Sequence, residues 1–215
     1  MRIHTYPLGE LQANCYLIEN EGKGILIDPA DDGSFLLEEL QRKNVELEAL
    51  FLTHGHFDHC MAAGEIQLAF GGVVETPHGV SVPSLYMNKK DQFLIDRLES
   101  TAEHFLGYKP IIIPPKLIKY FDFGEFQISN LKFQILSSPG HTPGGVCYYF
   151  PEEKIIFTGD TLFAGAIGRT DLSYSNKKDL WRSLKSILAL PEETTIYPGH
   201  GEESYISDEK VNLKK

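Results

Sequence analysis

Residues 53–59 read Thr-His-Gly-His-Phe-Asp-His and follow directly on the apolar stretch 49–52. In an extended chain, residues two apart point to the same side, so His54 and His56 face one way. Asp58 and His59 come where a helix is expected to begin, and they project from a second backbone direction. Imidazole and carboxylate groups suit zinc, and also iron or manganese. The stretch therefore predicts ligands for two metal centres rather than one.

Three further segments repeat one arrangement: an apolar strand, a turn that contains glycine, and a ligand-capable side chain. The side chains are His141, Asp160 and His200, after the apolar stretches 133–136, 155–157 and 195–197. Glycine permits the tight backbone that brings a ligand toward a shared centre. One such segment alone would be interpreted as an ordinary turn. Three of them beside the first motif indicate that all these side chains meet in one shared site, which can hold both metal centres.

Composition and charge limit the possible classes of protein. The chain has 215 residues, 42% of them hydrophobic, and a formal net charge of −10. This predicts one globular domain over residues 1–215. The negative charge argues against a nucleic-acid partner, because phosphate backbones attract basic surfaces. No apolar run suits a membrane span and no signal peptide is recognisable, so we expect a cytoplasmic protein that acts on a small molecule. The sequence carries no prediction of oligomeric state.

Three cysteines, Cys15, Cys60 and Cys147, cannot all pair within one chain, and we expect reduced thiols. Cys15 and Cys147 are predicted to be small buried hydrophobic residues. Cys60 follows the first motif directly and leaves three interpretations open: an additional soft ligand, a redox-sensitive thiol, or a residue packed at the start of its helix.

The periodicity of apolar residues predicts short strands and amphipathic helices in alternating blocks. The expected strands are 3–6, 13–19, 24–28, 49–52, 73–75, 125–128, 132–136, 146–150, 154–157 and 195–197. The expected helices begin near Ser34, as an N-cap, and cover 62–70, 88–106 and 176–188. This order indicates two sheets covered by helices. The apolar face of 88–106 either packs on the core or forms a lid over a pocket, and one helix can serve both purposes.

The ligand segments resemble those of the metallo-β-lactamase superfamily, and most of all its glyoxalase II-like branch, the hydroxyacylglutathione hydrolases. Gly159-Asp160-Thr161-Leu162-Phe163 and Gly168-Arg169-Thr170-Asp171-Leu172 carry the likeness to that branch, and the resemblance runs from Asn14 to Gly201. It implies an α+β fold, a four-layer αββα sandwich with the site at one edge of two sheets.

The resemblance also implies the role of each residue. His54, His56 and His141 would hold a first metal ion; Asp58, His59 and His200 would hold a second, and Asp160 would bridge them. The two divalent ions would be zinc, with iron or manganese as alternatives. A hydroxide between them would attack a thioester or related ester. Asp58 would be a second catalytic residue beside Asp160, and a source of the proton for the leaving group.

The chain departs from full-length glyoxalase II after His200. Only 15 residues follow, too few for the helical extension that contacts glutathione there, so the expected match is to the short bacterial branch. Arg169 stands where the family places a basic substrate contact, but a structural pair with Asp171 is an equally good interpretation. Pocket candidates are four aromatic residues, Tyr86, Phe93, Phe163 and Tyr174.

Two other functions compete with hydrolysis. Persulfide dioxygenases share the fold, the first motif and a Gly-Arg-Thr-Asp segment, and use a single iron. They usually show Pro-Ala-His where this chain has Pro198-Gly199-His200, which favours the hydrolase. A non-catalytic metal-binding module would need an incomplete ligand set. True β-lactamases of the fold often replace the residue at the position of His59 or of Asp160, and both are retained here.

Overall fold

The computed structural model describes residues 1–71 and 82–213, and the strand predicted at 73–75 lies outside them. The first sheet has six strands in the order β1 to β6, antiparallel from β1 to β3 and parallel from β3 to β6. Its strands are β1 (Arg2–Leu8), β2 (Ala13–Asn20), β3 (Lys23–Ile27), β4 (Glu46–Phe51), β5 (Ser84–Met87) and β6 (Ile118–Tyr120).

The second sheet also has six strands, and a small two-stranded hairpin lies beside it. In chain order the strands are β7 (Gly124–Ile128), β8 (Leu131–Ser137), β9 (Val146–Phe150), β10 (Ile155–Gly159), the hairpin β11 (Leu162–Phe163) and β12 (Ala166–Ile167), then β13 (Thr195–Pro198) and β14 (Ser204–Tyr205). Their order in the sheet is β14-β13-β10-β9-β8-β7, with β10 and β13 parallel.

Helices cover both sheets. They are α1 (Gly33–Lys43), α2 (Ala63–Ala69), α3 (Gln92–Ile95), α4 (Leu98–Leu106), α5 (Lys177–Ile187) and α6 (Ile206–Asn212). Among the described residues, no helix is both long enough and apolar enough to cross a bilayer.

Two helix predictions need correction. The N-cap of α1 is Asp32, not Ser34: the Asp32 carboxylate accepts from the backbone N–H of Phe35 at 3.1 Å, and the Ser34 hydroxyl donates to the same carboxylate. The predicted helix 88–106 is divided into a 3₁₀ turn, α3 and α4, with Arg97 outside helical geometry (φ −109°). Its two halves have different anchors, because the first is tied to the ligand loops and the second packs on the turn at 57–59.

Three apolar clusters define the layers. One lies between the first sheet and α1, α2 and α4; a second lies between the two sheets; a third lies between the second sheet and α5 and α6. The middle cluster is rich in aromatic rings, with Phe51 edge-on to both Phe133 and Tyr148. The order helix, sheet, sheet, helix confirms the predicted αββα sandwich.

Several strands end at one edge of this sandwich, and each is followed by a candidate ligand. β4 leads to residues 53–59, β8 to His141, β10 to Asp160 and β13 to His200. Two backbone hydrogen bonds join the sheets there: Val146 N–H donates to Thr53 O, and Asn14 N–H donates to Gly199 O. Sequence segments far apart in the chain therefore meet at this edge.

Candidate metal centre

The structure brings all seven predicted ligand side chains together in two neighbouring groups. In the first, His56 Nδ1 lies 3.0 Å from His54 Nε2 and 3.0 Å from His141 Nε2. In the second, His200 Nε2 lies 3.3 Å from His59 Nε2 and 3.4 Å from Asp58 Oδ2. Each group offers ligand atoms close enough to share one cation.

Asp160 stands between the groups. Its Oδ2 is 3.5 Å from His141 Nε2 in the first group, and its Oδ1 is 3.4 Å from His59 Nε2 in the second. Gly159, in left-handed backbone geometry (φ +49°), turns the chain so that Asp160 points inward, and a Cβ at Gly159 would strike Thr53 Oγ1 at 2.3 Å. Position 159 therefore requires glycine for both space and geometry.

Every imidazole of the cluster is held by a partner on its far side. In each ring one nitrogen faces the cluster, and the other bonds an oxygen outside it. These outer pairs are His54 with Thr53 Oγ1, His56 with Tyr174 Oη, His59 with Asp28, His141 with the carbonyl of Arg169, and His200 with the carbonyl of Leu11. Such contacts fix the tautomer and orientation of metal-binding histidines.

Asp28 is a functional residue that sequence reasoning missed. It is buried and accepts from the backbone N–H and hydroxyl of Thr53 (2.7 and 2.6 Å) and from His59 Nδ1 (3.0 Å). Although it lies within ligand distance of His54 and His59, these three bonds occupy its oxygens. The only available signal was an aspartate at the end of an apolar strand.

Asp91 was missed as well. It is buried, and its carboxylate accepts from Gly55 N–H (3.0 Å), the Thr142 hydroxyl (2.7 Å) and Gly144 N–H (2.6 Å). Gly55 lies between two ligands of the first motif, and Thr142 follows His141. Asp91 therefore ties the loops of the first group together and anchors the segment that begins α3.

The pKa values of the side chains shift in different directions in the two ligand groups. Burial, with help from neighbouring histidines, lowers the pKa of His54 well below its usual value and that of His56 to about 3, so both rings are neutral at pH 7. Burial also disfavours the charged form of His59, but Asp160 and Asp58 outweigh it and raise that pKa. Burial opposes ionisation of Asp160, but His59 and His141 hold its pKa well below the usual range. Neutral imidazoles and ionised carboxylates are the forms that bind metal cations. The first group already offers neutral His54 and His56, whereas a cation in the second group would displace the proton of His59.

An observation independent of the motif supports such a cation. Asp160 Oδ1 is buried and has no hydrogen-bond partner among residues 1–71 and 82–213. Buried carboxylate oxygens are rarely left unpaired, because their desolvation is costly. Three ring nitrogens, His54 Nε2, His56 Nδ1 and His141 Nε2, also converge in the first group. The nitrogen and carboxylate ligands present therefore fit one divalent cation in each group, such as zinc.

A cavity of about 310 Å³ opens onto the cluster. Side chains from four parts of the chain line it: Leu11, Phe57, Thr101, Phe105, Arg169, Leu172 and Tyr174, together with five of the candidate ligands. Thr101 and Phe105 belong to α4, and Phe105 stacks on Phe57. The predicted helix therefore has both expected functions, since α4 packs on the core and also covers the pocket.

The remaining predicted site residues take different places. Arg169 makes a bidentate ion pair with Asp171 (2.7 Å each), which confirms the structural pair. Because Arg169 also lines the cavity, its contact with a substrate stays a prediction. Of the aromatic candidates, Tyr174 lines the cavity, and Phe93 packs edge-on against the ring of Tyr174. Phe163 lies beside His200. Tyr86 is instead in the core between the sheets, where it stacks on Phe51, because β5 places it on the inner face.

The cysteines are free and buried. Cys15 and Cys147 lie in apolar clusters, as predicted. Cys60 lies in the first cluster and directs its thiol to the carbonyl of His56 at 3.2 Å. Burial raises its pKa well above the usual value, so it is a packed thiol rather than a reactive one.

The geometry agrees with comparisons to known proteins. A family model described as the metallo-beta-lactamase superfamily matches residues 8–200. Hydroxyacylglutathione hydrolase GloC of Haemophilus influenzae is 34% identical over 214 residues, covering 98% of this chain and 95% of the relative.

Two solved structures are also similar. TTHA1623 in a di-iron-bound form is 34% identical with a TM-score of 0.85, covering 97% of this chain and 98% of that one. The BLEG-1 B3 metallo-beta-lactamase is 30% identical with a TM-score of 0.86, covering 98% and 97%. By its family model, its relatives and its fold, the chain belongs to the metallo-β-lactamase superfamily.

Proposed function

We propose that this protein is a two-metal hydrolase of small-molecule thioesters or related esters, similar in activity to glyoxalase II, built as one domain over residues 1–215. The observation that carries the proposal is Asp160, whose two oxygens face two separate groups of ligands beside an open cavity. His54, His56 and His141 would hold one ion, and Asp58, His59 and His200 the other. Zinc fits these ligands; iron and manganese are alternatives.

Two bound cations would supply an activated water as nucleophile and would polarise the carbonyl of the substrate. The chain's own residues line the cavity and orient the substrate in it. Phe57, Phe105 and Leu172 give the cavity apolar walls. Arg169, at the mouth, offers a guanidinium to an anionic substrate group, although it must share that group with Asp171.

Asp58 is better suited to holding charge than to donating a proton. Burial opposes its ionisation, but His59 and His200 outweigh burial and lower its pKa. The carboxylate is therefore ionised at neutral pH and can accept a proton rather than give one. We accordingly assign Asp58 to the second ligand group and to proton acceptance, and leave protonation of the leaving group to solvent.

A thioester is the favoured substrate for two reasons. The relative GloC is named a hydroxyacylglutathione hydrolase and covers nearly the whole chain. The cavity also combines apolar walls with one basic group, which suits a thiol carrier with a carboxylate. A β-lactam is the competing hydrolytic substrate, because the similar BLEG-1 structure is described as a β-lactamase.

Metal analysis coupled to a substrate panel tests the proposal. Purified protein would be assayed with S-lactoylglutathione, a simple thioester, a lactone and a β-lactam, and oxygen uptake would be followed with glutathione persulfide. We expect about two metal ions per chain and preferential thioester hydrolysis, which Asp160→Ala removes together with bound metal. One iron per chain with oxygen uptake would instead establish a persulfide dioxygenase. Preference for the β-lactam would also overturn the thioester assignment.

A further inference from the structure

Tyr174 contacts the metal centre from outside the ligand motifs. Its hydroxyl oxygen lies 2.8 Å from His56 Nε2. The ring is held edge-on by Phe93, with centroids 5.3 Å apart. The next residue, Ser175, donates to the carbonyl of His141 at 2.7 Å. The segment that follows β12 is thus fastened to two histidines of the first group.

The direction of the bond to Tyr174 follows from the other nitrogen of the ring. His56 Nδ1 faces His54 Nε2 and His141 Nε2, each at 3.0 Å, where a cation would sit. A neutral imidazole binds a metal through its unprotonated nitrogen and carries its proton on the other. The proton of His56 is therefore on Nε2, which donates to the oxygen of Tyr174.

Tyr174 keeps its own proton in this arrangement. Among the described residues, the hydrogen bond from His56 is the only one its hydroxyl makes. The side chain lines the same cavity as Arg169 and Leu172. The O–H can therefore be donated only to something that enters the cavity, such as water or a substrate.

We propose that Tyr174 serves the centre in two ways: it fixes the metal-binding tautomer of His56, and it donates its hydroxyl proton to a polar group of the substrate that lies in the cavity. The donation is a hydrogen bond, with no proton transferred. The second task rests on the hydrolase function proposed above, whereas the first depends only on metal binding. Tyr174 thereby links metal affinity to substrate binding.

Tyr174→Phe tests both tasks, because it keeps the ring against Phe93 and removes only the hydroxyl. Loss of the outer partner of a metal-binding histidine typically weakens metal binding by about 10- to 100-fold. We expect the zinc affinity of one of the two sites to fall by that factor, as measured by competition with a chromophoric chelator. With metal saturating, KM for the thioester should rise by about 2- to 12-fold with little change in kcat, since one hydrogen bond to the bound substrate is lost.

Tyr120→Phe is the matched control. Its hydroxyl also makes a hydrogen bond, to Gln92 at 2.7 Å, but it is exposed on β6 and lies outside the cavity lining. This variant should match the wild type in metal affinity, KM and kcat. Thermal unfolding of both metal-free variants would show whether either change disturbs the fold itself.

The outcomes separate this proposal from the proposed function. Zinc affinity of Tyr174→Phe equal to that of the wild type would overturn the tautomer assignment, whether or not any thioester is hydrolysed. An unchanged KM for the thioester in the zinc-saturated variant would overturn the donor assignment. A wild-type protein that binds zinc but cleaves no thioester would refute the hydrolase and leave the affinity comparison intact.

Discussion

Gly199 occupies a confined position beside the second ligand group, so Gly199→Ala is a sharp probe of that group. A Cβ there would lie 2.2 Å from Asp160 Oδ1 and 2.8 Å from His59 Cε1, whereas ordinary contacts begin at 3.4 Å. The carboxylate or the backbone must therefore move by about 1.2 Å, the difference between 3.4 and 2.2 Å. Gly199 is not among the glycines with positive φ, so the effect of the substitution is steric.

The displaced atom is Asp160 Oδ1, which is buried, makes no hydrogen bond and faces His59 of the second group. Overpacking of this kind costs about 1–3 kcal/mol, which equals about 5- to 150-fold in affinity. We expect the second ion to be lost or weakened by that factor, while the first, held by three histidines, is retained. Elemental analysis after equilibration with limiting zinc, followed by chelator competition, measures both steps.

Gly22→Ala is the control for a general loss of stability. Gly22 lies in the turn between β2 and β3 with φ +79° and no atom within 4 Å of a built Cβ, so the change adds backbone strain far from the site. It should unfold at a lower temperature yet bind two ions. If Gly199→Ala also binds two ions with wild-type affinity, the assignment of Asp160 Oδ1 to the second ion is refuted.

Three further predictions concern stability and substrate binding. Asp91→Ala leaves three buried donors unpaired and should lower the free energy of unfolding by about 2–5 kcal/mol in denaturant titrations. A loss below about 1 kcal/mol would contradict the conclusion that Asp91 ties the ligand loops together. Arg42 and Tyr6 lower the pKa of Glu39 to about 2, so its stabilisation is complete above pH 4.5 and lost as the pH falls toward 2. Glu39→Gln should flatten that part of the plot of unfolding temperature against pH, and an unaltered plot would argue against the pairing. Arg169→Met should raise KM for an anionic thioester at nearly constant kcat, whereas Asp171→Asn, which frees the guanidinium, should not raise it.

Local pattern in the sequence predicted two sheets covered by helices and the meeting of the ligand segments, and the family resemblance implied the αββα order. Apolar strands that end at one edge of a sheet carry whatever follows them to that edge. Asp160 and His200, 40 residues apart, come together because β10 and β13 pair in parallel. No long-range contact had to be guessed for these residues to be found.

The supporting roles of Asp28 and Asp91, and the bond between His56 and the pocket candidate Tyr174, could not be predicted, because the partners are distant in sequence. Asp28 bonds His59 31 residues away, Asp91 bonds Gly144 53 residues away, and His56 bonds Tyr174 118 residues away. The break between α3 and α4 has the same origin, since Asp91 anchors one half of a segment that periodicity alone reads as one helix. Tertiary hydrogen bonds of this kind leave no periodic trace.

The location of bound metal tests the central claim most directly. Crystals of zinc-loaded protein, with anomalous data collected on both sides of the zinc absorption edge, would locate each ion without reference to activity. We expect two peaks, one among His54, His56 and His141 and the other among Asp58, His59 and His200, with Asp160 contacting both. A single peak, or two peaks that Asp160 does not join, would contradict it.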